Sequence, residues 1–248
     1  SRETGNASTA STRVRIAIDR VALFVVFSAL AFIFGGRSLV AALFERGQFS
    51  SDDTIAVWLT LAVFSFGLVA SALSRVFQTA SFAHGDVAGP AKIAFARLIV
   101  AGVIGLLFML PADRYQVVNG LIRKTNDFAF APLGESIRNE LNSHRLGAVG
   151  LAAGGAVAAW LEFALLRHRL RSITTDLGIW RTVRRLLPAA IWGGAVIAGL
   201  AALFDGLPAL LGAPLVLGPA GVLYVLLARR SGNETARALV RRAAAVTR

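Results

Sequence analysis

Six apolar stretches near 20 residues long, joined by connections whose charge alternates between strongly basic and mixed, constrain this chain more than any other feature. A helix of ~20 residues crosses the ~30 Å of hydrocarbon in a bilayer. Backbone amides in lipid must be paired within their own segment or around a closed barrel, and none of these runs shows the period-two alternation of a barrel strand. The expected fold class is therefore all-α: a polytopic membrane helix bundle with helices at about 15–34, 53–82, 90–109, 146–166, 182–204 and 207–228. Residues 1–12, polar and small, read as a flexible lead-in. Residues 13–248 read as one transmembrane lobe carrying an outer insertion over 112–145.

The arginines supply an orientation. Arg13, Arg15 and Arg20 mark the start of the first stretch. The fourth-to-fifth connection holds Arg167, Arg169, Arg171, Arg181, Arg184 and Arg185 against Asp176 alone, and the tail holds Arg229, Arg230, Arg237, Arg241, Arg242 and Arg248 against Glu234. The first-to-second loop instead sets Arg37 and Arg46 against Glu45, Asp52 and Asp53, and the last hairpin offers only Asp205. Basic residues are retained on the cytoplasmic side, so both ends of the chain are expected there. Ser1 in place of Met, with no signal peptide before the first stretch, reads as the start of one piece of a longer polypeptide.

Apolar residues make up 56% of the chain and the mean hydropathy is +0.65, above a soluble mixture. A net charge of +12 would ordinarily raise nucleic acid as a partner. Here the arginines cluster at segment ends without interleaved aromatics, so membrane orientation and anionic headgroups account for them, and no nucleic-acid partner is expected. The absence of cysteine excludes disulfides, thiolate metal sites and a cysteine nucleophile. His84, His144 and His168 fall in three connections on both sides of the membrane and share no metal-site spacing. No glycine-rich phosphate loop, GxSxG elbow or HExxH is present. The expectation is a non-enzyme without metal or cofactor.

Local signals refine the path. Ser51 and Asp52 are candidate N-caps for the second helix, and Trp58 suits an interface. Pro90 fits the first turn of the third helix and Pro111 its end. Within 112–145, Val117, Val118, Leu121 and Ile122 share one helical face and Leu133, Ile137 and Leu141 another, which predicts two short amphipathic helices on the outer surface. A tolerated surface insertion is the alternative. Gly150 with Gly154, and Gly194 with Ala198, make small-xxx-small faces that let helices approach closely.

Ionisable residues inside apolar runs are functional candidates. Arg75 and Arg97 are the strongest, with snorkelling or helix–helix pairing as the alternative role. Glu162 lies about one turn from the inner end of the fourth helix, where it could pair with an arginine of the following connection or couple to a cation. Asp19 beside Arg20 reads as a similar end pairing.

Two segments carry a family resemblance. One runs from Ser38 through Leu43-Phe44-Glu45-Arg46-Gly47-Gln48-Phe49-Ser50 to Asp52-Asp53-Thr54. The other runs from Arg75-Val76-Phe77-Gln78 through Ala83-His84-Gly85-Asp86 to Pro90-Ala91-Lys92-Ile93. Both resemble the MurJ/MviN family of lipid II flippases, in the MOP exporter superfamily. The second departs from the family pattern at Ser81-Phe82-Ala83, and at Gly89 where threonine is common. The resemblance implies the C-terminal lobe of a MATE-like transporter fold, with a missing N-terminal lobe as partner. It implies a bacterial inner-membrane protein of peptidoglycan biosynthesis. Its substrate would be an undecaprenyl-diphosphate-linked sugar (lipid II), moved between leaflets by alternating access amid membrane lipids. On that reading Arg75 and Arg97 face a central cavity and attract the diphosphate, because a guanidinium fork pairs two phosphate oxygens. The other readings are a related polysaccharide-lipid or multidrug exporter, and a non-transporting scaffold of cell-wall synthesis.

Overall fold

The computed structural model describes residues 2–83, 85–124, 130, 144–171, 179–204 and 209–246. In chain order these form α1 (Arg2–Phe34), α2 (Gly36–Phe44), α3 (Ser51–Ala83), α4 (Ala88–Ala112), β1 (Tyr115–Val118), β2 (Leu121–Lys124), α5 (Gly147–Leu170), α6 (Ile179–Leu203), α7 (Ala209–Arg230) and α8 (Glu234–Val246). Six helices are long and apolar enough to cross a membrane: α1 from Arg15, α3, α4, α5, α6 and α7. The chain is an all-α polytopic membrane bundle. Helical geometry in α1 begins at Arg2, so it also takes in residues expected as a lead-in.

Gly35 and Gly36 do more than close the first helix. The helix is interrupted at Gly35, whose φ is −109° and ψ 1°, and the indole Nε1 of Trp58 donates to the Ile33 carbonyl at 3.1 Å. A Cβ on Gly36 would stand 2.6 Å from Trp58 Cδ1, so glycine is what lets that ring reach the break. Trp58 is thus a packing residue as well as an end marker.

The start of α3 corrects the expected caps. Ser50 and Asp53 form a reciprocal box: the Ser50 backbone N–H donates to Asp53 Oδ2 at 2.8 Å, and the Asp53 N–H donates to Ser50 Oγ at 3.2 Å. Asp52 is freed for another task. Its two carboxylate oxygens accept the backbone N–H groups of Asn119 and Gly120 at 2.9 and 2.8 Å.

Those two amides belong to a β-hairpin where an amphipathic helix was expected. β1 and β2 pair antiparallel with Val118 opposite Leu121, and Asn119 and Gly120 both have positive φ (52° and 75°). Asn-Gly suits such a two-residue turn because both central residues must be left-handed. Val117 is buried against Ile55 and Leu146, and β1 also bonds to the returning chain at His144 and Leu146. The face expected at Leu133, Ile137 and Leu141 lies outside the described residues.

Two packing groups share α1. Ile18 joins Ala70, Phe77, Ala159, Phe163 and Leu166 from α3 and α5. One turn on, Ala22 and Leu23 join Leu186, Ala189, Tyr224 and Ala228 from α6 and α7. Tyr224 Oη donates to the Leu23 carbonyl at 3.0 Å, and Thr182 on α6 hydrogen-bonds Asp19. Asp19 is therefore tied to a neighbouring helix rather than to an arginine beside it. Within the first group α5 is central and α4 peripheral: 44% of the α5 span is buried but only 6% of that of α4. Phe95, Leu98, Ile99, Val103 and Leu106 of α4 are exposed, as lipid-facing side chains are.

Candidate functional site

A charged network bridges α3, α4 and α5 inside their apolar spans. Arg97 Nη1 meets Glu162 Oε2 at 2.5 Å, and Arg97 Nη2 donates to Ser71 Oγ at 3.2 Å. Gln78 Nε2 donates to the other carboxylate oxygen of Glu162 at 2.8 Å. Both Glu162 oxygens are therefore engaged, and its side chain is 1% exposed against 35% for Arg97. Arg97 lies 9 residues inside α4 and Glu162 8 residues inside the far end of α5. At 1.5 Å per residue that places both ~12–14 Å from the same end of the bundle.

The helices dictate this meeting. Ser71, Arg75 and Gln78 fall at i, i+4 and i+7, which places them on one face of α3. Ser71 and Gln78 close on the Arg97–Glu162 pair, and Arg75 stands between them in sequence with its side chain exposed. The two candidate arginines thus belong to one polar stripe but have different partners. Arg97 is matched by a carboxylate, whereas Arg75 has no ion pair among the described residues. Glu162 pairs across helices with Arg97, not with an arginine of the following connection. Ser71 and Gln78 were not singled out from the sequence, although polar residues at helical spacing inside an apolar run are a usable signal.

Close approach makes the network possible. A Cβ on Gly150 would fall against the backbone of Phe108 and Met109, and one on Gly154 against the backbone of Gly105 and Ile104. The seam expected on one helix therefore meets a third glycine on its partner. Gly194 faces the Phe34 ring and Leu30 of α1, so its small face is also a packing surface.

A second ionic contact closes the same end of the bundle. Asp86 Oδ2 accepts from Arg169 Nε at 2.7 Å, and its Oδ1 accepts from the Gly89 N–H at 3.0 Å. A Cβ on Gly89 would fall on the Arg169 guanidinium, so a side chain there would require that group to shift from its contact with Asp86. The hydrogen bond from Arg169, followed by that from Gly89, holds the Asp86 carboxyl below the usual carboxylate range. A depressed folded-state value means that the contact is complete above the ordinary carboxylate range and is lost as pH falls through the lower value. Hydrogen exchange of the Gly89 amide should accordingly stay slow from neutral to mildly acidic pH and rise only in strong acid. Asp86→Asn should make it fast throughout. Fast exchange in the parent at neutral pH would refute the clamp.

At the opposite end, His144 Nδ1 lies 2.9 Å from Asp53 Oδ1. His168 is exposed on α5, and His84 lies outside the described residues. Among the described residues no group of three or more His, Asp or Glu side chains could hold a metal ion.

Six helices long and apolar enough to cross a membrane, three of them joined by a charged network, define a multi-pass membrane protein of the all-α class. The model of the family described as Lipid II flippase MurJ matches residues 1–118. A probable lipid II flippase MurJ of Rhizobium meliloti (strain 1021) is 31% identical over 106 residues, covering 43% of this chain and 19% of that protein. A probable lipid II flippase MurJ of Rhizobium tropici is 25% identical over 200 residues, covering 79% and 31%. Residues 1–118 thus match the MurJ family, and the two relatives that carry the same description are similar to this chain over 106 and 200 residues. Its matched part spans less than a third of the relative's length in each case.

Proposed function

We propose that this chain forms the C-terminal helical lobe of a lipid II flippase in the bacterial inner membrane, with both of its ends in the cytoplasm. The observation that carries the reading is the family match over residues 1–118, which contains both motif turns and the α3–α4 half of the charged network. Alternating access would have this lobe rock against a second, N-terminal lobe around a charged cavity. Arg75 and Arg97 line that cavity in this reading and have distinct roles. Arg97, matched by Glu162, holds α3, α4 and α5 in register, and Arg75 offers its guanidinium to the diphosphate of the polyprenyl-linked sugar. The long isoprenoid tail stays in lipid along the apolar α6–α7 pair.

The test is growth of a bacterium depleted of its own lipid II flippase while it carries the full-length gene that encodes this chain together with its N-terminal lobe. Growth should be restored, with lipid II appearing in the outer leaflet. Arg75→Gln, at normal membrane level, should lower that appearance by at least about tenfold, the loss expected when one charge-assisted phosphate contact is removed. Failure of the parent gene would sink the flippase assignment. Full transport by Arg75→Gln would remove only that residue from the mechanism.

A further inference from the structure

Where α7 runs into α8, the chain makes a rigid corner. The Asn233 N–H bonds to the Ala228 carbonyl at 3.1 Å and the Gly232 N–H to the Arg229 carbonyl at 3.2 Å, with Gly232 at φ 86°. This is the paired ending that glycine permits at a helix C-terminus. Asn233 is buried and then caps the next helix, its Oδ1 accepting the Ala236 N–H at 3.0 Å. Ala236 and Leu239 anchor α8 against the α1–α6–α7 packing group.

The corner gathers charge. A pocket of about 670 Å³ is lined by Arg229 and Arg230 from the last turn of α7 and Arg237 and Arg241 from α8, with Leu223 and Leu226 behind them. Arg237 and Arg241 are one helical turn apart on the same face. None of the four is in an ion pair among the described residues, and Glu234 is the one carboxylate between positions 223 and 241. The negative end of the α7 dipole meets the positive end of the α8 dipole at this turn, so neither helix offers the cluster a net counter-charge. Four guanidinium groups held together with no ion-paired carboxylate among the described residues call for an external anion.

Geometry narrows which anion. The pocket sits at the end of a helix long and apolar enough to cross a membrane, and its apolar side continues into the exposed row Leu211, Leu215, Val222 and Leu226 on α7. We propose that this corner binds the phosphodiester headgroup of an anionic membrane lipid, whose acyl chains stay in the bilayer along that row. Guanidinium forks suit phosphate oxygens, and the leucines suit the glycerol and upper chain. The site is separate from the α3–α4–α5 network and does not depend on what cargo the protein moves.

The test is native mass spectrometry of the whole chain in detergent, titrated with phosphatidylglycerol, with phosphatidylcholine as the neutral comparison. Arg237→Gln with Arg241→Gln should weaken phosphatidylglycerol retention by about 30-fold, at roughly fivefold per arginine near a membrane surface. Arg237→Lys with Arg241→Lys should stay close to the parent, and Arg167→Gln with Arg171→Gln, an equal charge change elsewhere, should have no effect. Inorganic phosphate in tenfold excess should fail to displace the lipid. Unchanged retention in the glutamine pair, an equal loss in the control pair, or displacement by phosphate would each overturn the proposal. A headgroup-photoactivatable phosphatidylglycerol supplies an arm that needs no variant. Its adducts should map to residues 223–241, and adducts confined elsewhere would overturn the assignment.

Discussion

Arg97→Gln is expected to cost the folded chain about 3–5 kcal/mol, because it leaves a buried carboxylate with its charge unmatched. Glu162 is 1% exposed, and the Gln78 amide alone would remain to hold it. Glu162→Gln should cost less, about 1–2 kcal/mol, since Arg97 is 35% exposed and can turn its free side to water. The double replacement should recover most of the loss, as paired removal of a buried ion pair often does. Unfolding in mixed micelles measures all three forms. A coupling below about 0.5 kcal/mol between the two sites would mean that the pair is incidental. A Glu162→Gln loss as large as that of Arg97→Gln would mean that the open side of Arg97 meets lipid, not water, and would count against a cavity beside it.

The second large effect is steric. Gly150→Ala and Gly154→Ala each place a methyl group on backbone atoms of α4, which cannot swing aside as a side chain does. Each should cost about 1–3 kcal/mol by overpacking. Because α4 has α5 as its main protein neighbour, the helices should separate instead of repacking. Arg97 would then be pulled from Glu162, so the double alanine form should also lose much of the Arg97–Glu162 coupling. Gly155→Ala is the control, since a Cβ there meets nothing within 4 Å. Equal stability of the Gly154 and Gly155 variants would show that the seam is looser than these contacts require.

The spans were legible because lipid imposes one rule on every residue in them: apolar outward, backbone paired inward. That rule places helix cores but not their ends, and α3 starts two residues before its expected position because Ser50 and Asp53, not Ser51 and Asp52, form the cap. The hairpin departs from the expected helix for a different reason. Val117, Val118, Leu121 and Ile122 satisfy a helical face, but Asn119-Gly120 between them is the stronger local signal and decides the backbone. The tail helix α8 was legible in principle from Gly232 as a helix terminator and Asn233 as a cap, with Arg237 and Arg241 at helical spacing. In the network, Arg97 and Glu162 could be picked out as charges in apolar runs. Their pairing could not, since 65 residues separate them and the contact depends on how α4 and α5 cross.

The first helix belongs to both halves of the bundle at nearly the same height. Ile18 is sunk among side chains of α3 and α5, while Asp19, the very next residue, is fastened to Thr182 of α6. A helix resists twisting between adjacent residues, so those two anchorages cannot turn independently. Any tilt of one trio of columns must therefore drag the other with it, and α1 serves the bundle as its axle.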